Sequence, residues 1–220
     1  MRRTKGGIVE FSARDTFSGR GILRHVTSIQ KLSNVTGSSS ILDFGSGKGE
    51  QYVEDLRSRS GDVISNSLHA YWGVGSITCY DPAVNADTTA LLARYDGVVA
   101  TNVLDHLPEE DMQWIVELLF EKANKFVYAN MSEYSANAWL PNGENARITK
   151  KPADWWVQLF STAAEKYPDI RFCLAFARRR TDHDGNAEVA MTHFHTCPDL
   201  ELPSSFYLGL KPENETSPAP

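Results

Sequence analysis

Ile41-Leu42-Asp43-Phe44-Gly45-Ser46-Gly47-Lys48-Gly49 decides the fold of this 220-residue chain. The run from Ser40 to Leu42 reads as the end of a buried strand. An acid closes it, and three glycines follow at alternate positions. Glycine turns sharply with positive φ and lets a ligand approach without a Cβ in the way. A helical pattern begins near Lys48 and runs to Arg59. A strand, a glycine turn and a helix start form a cradle for a nucleotide-like molecule at the edge of an α/β sheet.

The spacing of the glycines narrows the ligand. A phosphate-cradling Walker loop needs a glycine five residues before its Gly-Lys pair and a Ser or Thr after it. Leu42 and Gly49 occupy those places. A dinucleotide fingerprint needs Gly-x-Gly-x-x-Gly, and Glu50 stands where its third glycine falls. Asp43-x-Gly45-x-Gly47-x-Gly49 after a strand instead resembles motif I of the class I S-adenosylmethionine (SAM)-dependent methyltransferases. The resemblance implies a Rossmann-like α/β sheet, mostly parallel, with helices on both faces and an antiparallel hairpin at its C-terminal end. It also implies SAM as cofactor and S-adenosylhomocysteine as product. Asp43, Gly45, Ser46, Gly47 and Gly49 then become cofactor residues, with Asp43 near the cofactor's ammonium, directly or through water.

Three further stretches carry the resemblance. Asp81 ends the apolar run Ile77–Tyr80, where an acid accepts hydrogen bonds from ribose hydroxyls in nucleoside-binding α/β folds. Its distance from the glycine turn exceeds the usual 20 or so residues, and an irregular insertion over 60–75 absorbs the excess. The stretch Asp96-Gly97-Val98-Val99-Ala100-Thr101-Asn102-Val103-Leu104-Asp105-His106-Leu107 resembles the family's fourth strand and the loop after it. Asn102 then borders the cofactor's methionine part or the substrate. His106 is either a general base or a residue that caps or packs on the next helix. Only residues 85–94 separate the second strand from this one, so the third strand of the usual seven is truncated or absent. Asp87 or Thr88 would have to supply the polar group of an adenine pocket.

Leu140-Pro141-Asn142-Gly143-Glu144-Asn145-Ala146, ahead of the Trp155-Trp156 helix, resembles a segment of bacterial and phage-type methyltransferase-like proteins. Glu133, Asn145 and Arg147 are the residues placed there to bind the acceptor; Asn142 and Glu144 add polar groups. The same run also reads as an ordinary polar loop. The tryptophan pair reads as core or as a stacking platform. His193, His195 and Cys197 alternate along a strand and face one side; they read as a hydrogen-bonded face or, with His183 or Asp184, as the start of a metal site. No metal is assigned. Arg178-Arg179-Arg180 reads as a solvated turn or as a contact for an anionic substrate.

Outward from these motifs the chain alternates helix and strand. Helices are expected over 22–32, 48–59, 85–94, 109–125 and from Pro152 through Ala163. In the 109–125 helix Met112, Ile115, Val116, Leu119 and Ala123 share one face, and acids crowd its first turn. Strands are expected at 77–80, 95–100, 126–129, 170–177 and 188–196, the last two joined by an Asp184-Gly185 turn. Such alternation argues a mostly parallel sheet covered on both sides. Residues 1–20 read as a flexible segment, 21–210 as a single domain and 211–220 as a disordered tail.

Composition bounds the rest. At 41% hydrophobic residues the chain can bury one substantial core. A formal net charge of −6 argues against tight binding to nucleic-acid phosphates. Three scattered cysteines suit a reducing compartment, no run approaches a bilayer span, and no signal peptide is evident, so a cytoplasmic location is expected. The expected function is methyl transfer from SAM to an oxygen or nitrogen of a small-molecule acceptor such as a sugar or metabolite. The alternatives are a SAM-binding protein with different or lost chemistry, an RNA or protein methyltransferase, and an NAD-binding Rossmann enzyme.

Overall fold

The computed structural model describes residues 2–4, 7–9, 18–58, 60–85, 87–181 and 187–202. Two short strands, β1 (Arg2–Thr4) and β2 (Gly7–Val9), pair antiparallel at the N-terminus. The first long helix is α1 (Val26–Thr36), entered through a 3₁₀ turn at Arg20–Arg24. It ends on Gly37 in the left-handed conformation, with Gly37 N–H bonding the Asn34 carbonyl and Ser38 N–H the Ser33 carbonyl.

β3 (Ser40–Phe44) follows as expected, but the helix expected over 48–59 does not form. Gly49 sits at φ 71°, a single 3₁₀ turn covers Glu50–Tyr52, and the chain then makes a small antiparallel pair, β4 (Leu56–Arg57) with β5 (Val63–Ser65). The reason is local competition. Tyr52 turns its hydroxyl back to the Asp43 carboxylate, Leu56 is buried, and Val53 is left 86% exposed, so no helical apolar face exists. The insertion is also less irregular than expected. Ser67 caps α2 (Leu68–Trp72) by accepting the Ala70 N–H, and Leu68 and Trp72 enter the core.

β6 (Ser76–Tyr80) pairs with β3. No third strand follows; between β6 and β7 (Tyr95–Thr101) the described residues hold only a 3₁₀ turn at Thr89–Leu92 in place of the expected helix. α3 (Met112–Lys122) is shorter than expected, preceded by a 3₁₀ turn at Glu109–Asp111. Residues 123–125 already belong to β8 (Ala123–Ser132). α4 (Ala153–Ala164), β9 (Arg171–Thr181) and β10 (Ala187–His195) complete the domain. β9 runs on through Arg178–Thr181, where a turn was expected, and the Asp184-Gly185 turn lies outside the described residues, as does the tail from residue 203.

The main sheet has the order β6-β3-β7-β8-β9-β10, all parallel except β10. Counted along the chain this is 2-1-3-4-5 with one antiparallel strand added at the edge. The order reverses between β3 and β7. In open α/β sheets ligands bind outside the carboxyl ends of the strands at that reversal.

The inner parallel strands β3, β7, β8 and β9 are buried on both faces, while the edge strand β6 is half-buried to exposed. Val98 and Ala100 of β7 pack with Leu42, Val127 and Leu174 under α3 and α4, while Val99 packs with Ile41, Tyr128 and Cys173 under α1 and α2. Each large apolar side chain buried this way stabilises by about 1.5–3 kcal/mol. Gly97 marks a close approach within the sheet: a Cβ there would collide with the Phe126 ring. Among the described residues no helix is long and apolar enough to cross a membrane.

Candidate functional site

The glycine turn lies at the reversal point. Gly45 and Ser46 both donate their N–H groups to the Tyr80 carbonyl, at 2.7 and 3.2 Å, folding the turn onto the end of β6. Gly45 has φ 80°, and a Cβ at this position would collide with the Val103 side chain, so the turn packs directly on the loop after β7. Asp81 closes the arrangement. Its Oδ2 accepts the Gly47 N–H and its Oδ1 the Ala83 N–H, both at 2.9 Å. Asp43, the turn and Asp81 therefore share one rim.

Asp43 is 1% exposed. Its Oδ2 accepts the Tyr52 hydroxyl at 2.8 Å and, at 3.4 Å, the Gln51 amide. Among the described residues its Oδ1 has no hydrogen-bond partner, and neither does the buried Gln51 Oε1. Burial pushes the carboxyl up to about 7, against the opposing pull of the Tyr52 and Gln51 hydrogen bonds, with nearby Asp81 adding to the rise. Two unpartnered acceptors beside a carboxyl that ionises reluctantly suit a ligand that brings donors and positive charge.

Asn102, just past β7, is the sole non-glycine residue with positive φ among the described residues, at 55°. Asparagine tolerates this region better than most residues, and strain of this kind gathers at functional sites. It is held by Asn130 at the end of β8: Asn102 N–H donates to Asn130 Oδ1 at 2.9 Å, and Asn130 Nδ2 to Asn102 Oδ1 at 3.4 Å.

The segment leading into α1 lies across this rim. A Cβ on Gly19 would collide with the Ser46 carbonyl and the Gln51 amide, and one on Gly21 with the Asn102 amide. Arg20 between them pairs with Glu54 and reaches Glu50 at 3.9 Å.

On the other side of Asn102, the loop over 133–151 is strapped to the β7 loop. Asp105, fully buried, places Oδ2 at 2.6 Å from Arg147 Nε, an ion pair whose N–H direction falls outside hydrogen-bond geometry. Asp105 Oδ2 also accepts the Ser132 N–H at 3.0 Å. Arg147 Nη1 donates to the Tyr134 carbonyl at 2.6 Å. His106 Nδ1 donates to the Ala146 carbonyl at 2.7 Å, which leaves Nε2 as the ring nitrogen able to take up a proton. That Nε2 faces the unpartnered Asp105 Oδ1 at 3.8 Å. Thr149 completes the strap, its hydroxyl donating to the Leu107 carbonyl at 2.6 Å.

Asn145 and Arg147 thus sit near the site, yet both are engaged by the chain. Asn145 Oδ1 accepts from Ala136 and Arg147 N–H groups, and its Nδ2 donates to the Ala136 carbonyl. Glu133 pairs with Arg178 at 2.7 Å. Asp87 caps the turn at Thr89. Trp156 is buried and meets Trp155 edge-on at 4.9 Å. His193 Nε2 lies 3.4 Å from Ser28 Oγ, and His195 Nδ1 donates to the Cys197 carbonyl at 3.0 Å. His183 and Asp184 lie outside the described residues, and the Arg180 side chain is not described.

Gln51, Tyr52, Asp105 and Asn130 are site residues the sequence reading did not single out. A polar residue closing an apolar strand was a usable signal for Asn130; the others depend on contacts made only in the fold. Compared with models of known protein families and with curated proteins, the chain matches none.

Proposed function

We propose that this protein is a SAM-dependent methyltransferase that acts on an oxygen or nitrogen of a small-molecule acceptor. The observation that carries the reading is the convergence of two carboxylates on one glycine turn at the reversal point of a parallel sheet, with Asp43 Oδ1 and Gln51 Oε1 buried and unpartnered. These acceptors fit a cofactor with an ammonium and ribose hydroxyls to donate. Asp43 and Gln51 would hold the ammonium. Asp81 would receive the hydroxyls on its remaining lone pairs, since each carboxylate oxygen can accept twice.

The bound cofactor supplies a methyl group activated by positively charged sulfur. The chain's own contribution is alignment, and orientation of reacting groups can lower a barrier by on the order of 7–11 kcal/mol. Asn102, fixed by Asn130, borders the acceptor side. His106 Nε2 takes the acceptor proton, a contribution of about 10²–10⁴-fold, and Asp105 offsets the charge that forms on the ring. The strapped loop carrying Ala146 and Arg147 screens the site from water. The absence of a helix behind the glycine turn weighs against a dinucleotide, because a pyrophosphate relies on the N–H groups and dipole of that helix.

Titration calorimetry with S-adenosylhomocysteine tests the reading. The wild-type protein should bind it, and Asp81→Ala should weaken binding about tenfold or more. Equal affinity in both proteins, or binding of NADH in its place, would overturn it. A second reading, a SAM-binding protein without transferase activity, draws on His106 using one ring nitrogen to hold the loop and facing Asp105 with the other. Turnover of any acceptor rules out the second reading, and a structural His106 would then show as an unchanged kcat in His106→Gln.

A further inference from the structure

Arg179 has a geometry that the proposed chemistry does not use. β8 ends at Ser132, paired with Ala177, while β9 continues to Thr181, so Arg178 and Arg179 stand beyond the sheet rim. That rim is the one carrying Asn102 and Asn130. Arg178 is neutralised by Glu133. Among the described residues Arg179 has no carboxylate partner. Its guanidinium lies over the Tyr134 ring, 4.5 Å from the centroid, and one nitrogen reaches Asn137 Oδ1 at the limiting distance of 3.5 Å.

A ring-stacked guanidinium is held in orientation while most of its N–H donors stay available, the arrangement that receives a carboxylate or phosphate with two parallel bonds. The same ring also faces Arg147, 5.0 Å from its centroid, whose charge Asp105 balances. Lys150 adds a second cation with a neutral partner, its Nζ donating to Ser135 Oγ at 3.0 Å. A chain of net charge −6 repels anions in general, so a local cationic face is what would admit one.

We infer that the acceptor is an anion whose carboxylate or phosphate group is received by Arg179, with Lys150, tied to Ser135 next to Tyr134, as a second cation. The inference rests on the methyltransferase reading. β9 lies two strands from β7, about 10 Å along the rim, so the anionic group and the atom to be methylated occupy opposite ends of a small molecule.

The test uses the full chain saturated with S-adenosylhomocysteine, at constant ionic strength set with sodium chloride. Inorganic phosphate and acetate are titrated separately, and thermal stability is followed. A saturable rise in Tm with either anion is expected; the more effective one identifies the group as phosphate or carboxylate. Arg179→Gln should weaken that response about tenfold, and Lys150→Gln less. Arg179→Lys should recover part of it. S-adenosylhomocysteine affinity should match wild type in all three. No saturable response to either anion, or an unaltered response in Arg179→Gln, overturns the inference. Failure of S-adenosylhomocysteine to bind the wild-type protein counts against the cofactor reading, and the anion titrations repeated without it then report on the Arg179 site by itself.

Discussion

The Asp81 carboxylate accepts the Gly47 N–H at 2.9 Å, joining the end of one parallel strand to the turn that follows its neighbour. Its second oxygen accepts the Ala83 N–H, so a single side chain fixes both loops at this end of the sheet. Asn at this position supplies one acceptor and one donor group, and the donor opposes a backbone N–H. Asp81→Asn is therefore expected to lower S-adenosylhomocysteine affinity about tenfold, with a Tm change of only a few degrees. Calorimetry and a melting curve on the same sample check both parts.

Asp43 makes stability depend on pH. Its carboxyl, ordinarily near 3.8, is pushed up to about 7 by burial, so between those values the folded protein holds a proton the unfolded chain has lost. This contribution is complete below the lower value and is lost as pH rises through the upper one, at about 1.4 kcal/mol per pH unit inside the window. Asp43→Asn should flatten the profile between pH 4 and 7. Its stability relative to wild type should be highest above pH 7. Urea unfolding at pH 5, 6, 7 and 8 reads this directly; parallel profiles for the two proteins would contradict it.

Gly45 and Val103 are sterically coupled. Gly45→Ala should destabilise by about 1–3 kcal/mol from crowding against Val103, plus roughly 1 kcal/mol from the positive φ. Adding Val103→Ala should relieve most of the crowding and leave mainly the backbone component. A double-mutant cycle from denaturant midpoints should give a favourable coupling of about 1 kcal/mol or more.

The Asp105–Arg147 pair is deeply buried, so breaking it from one side strands a charge. Arg147→Met should cost about 3–5 kcal/mol, and combining it with Asp105→Asn should recover much of that loss. Equal destabilisation in the single and double variants would mean the pair contributes through packing alone.

How far the sequence could be read follows the range of each interaction. The Ile41–Gly49 stretch announced a strand and a glycine turn because both are local, and Asp81 announced itself by closing a second apolar run. The helix expected after Gly49 failed because Tyr52 and Leu56, spaced as a helical pair, are drawn to separate partners, Asp43 and the core. Asn145 and Arg147 read in the sequence as polar groups for an acceptor or as part of an ordinary polar loop. Their engagement with Ala136 and with Asp105, some 42 residues from Arg147, could not be seen without the fold. The sheet order was legible only as a class, since no local pattern says that β9 lies beside β8 with β10 at the edge.

Gly19 and Gly21 rest against the Ser46 carbonyl and the Asn102 amide with no room for a side chain. A ligand at this rim would compete or cooperate with that backbone for the same atoms. Amide exchange at residues 19–24 should therefore act as a built-in reporter, slowing if an occupant clamps the strand of chain above it and quickening if it must be displaced. A bulky substitution or a fusion partner placed close to Gly19 would register first as altered ligand affinity, before any loss of the core beneath.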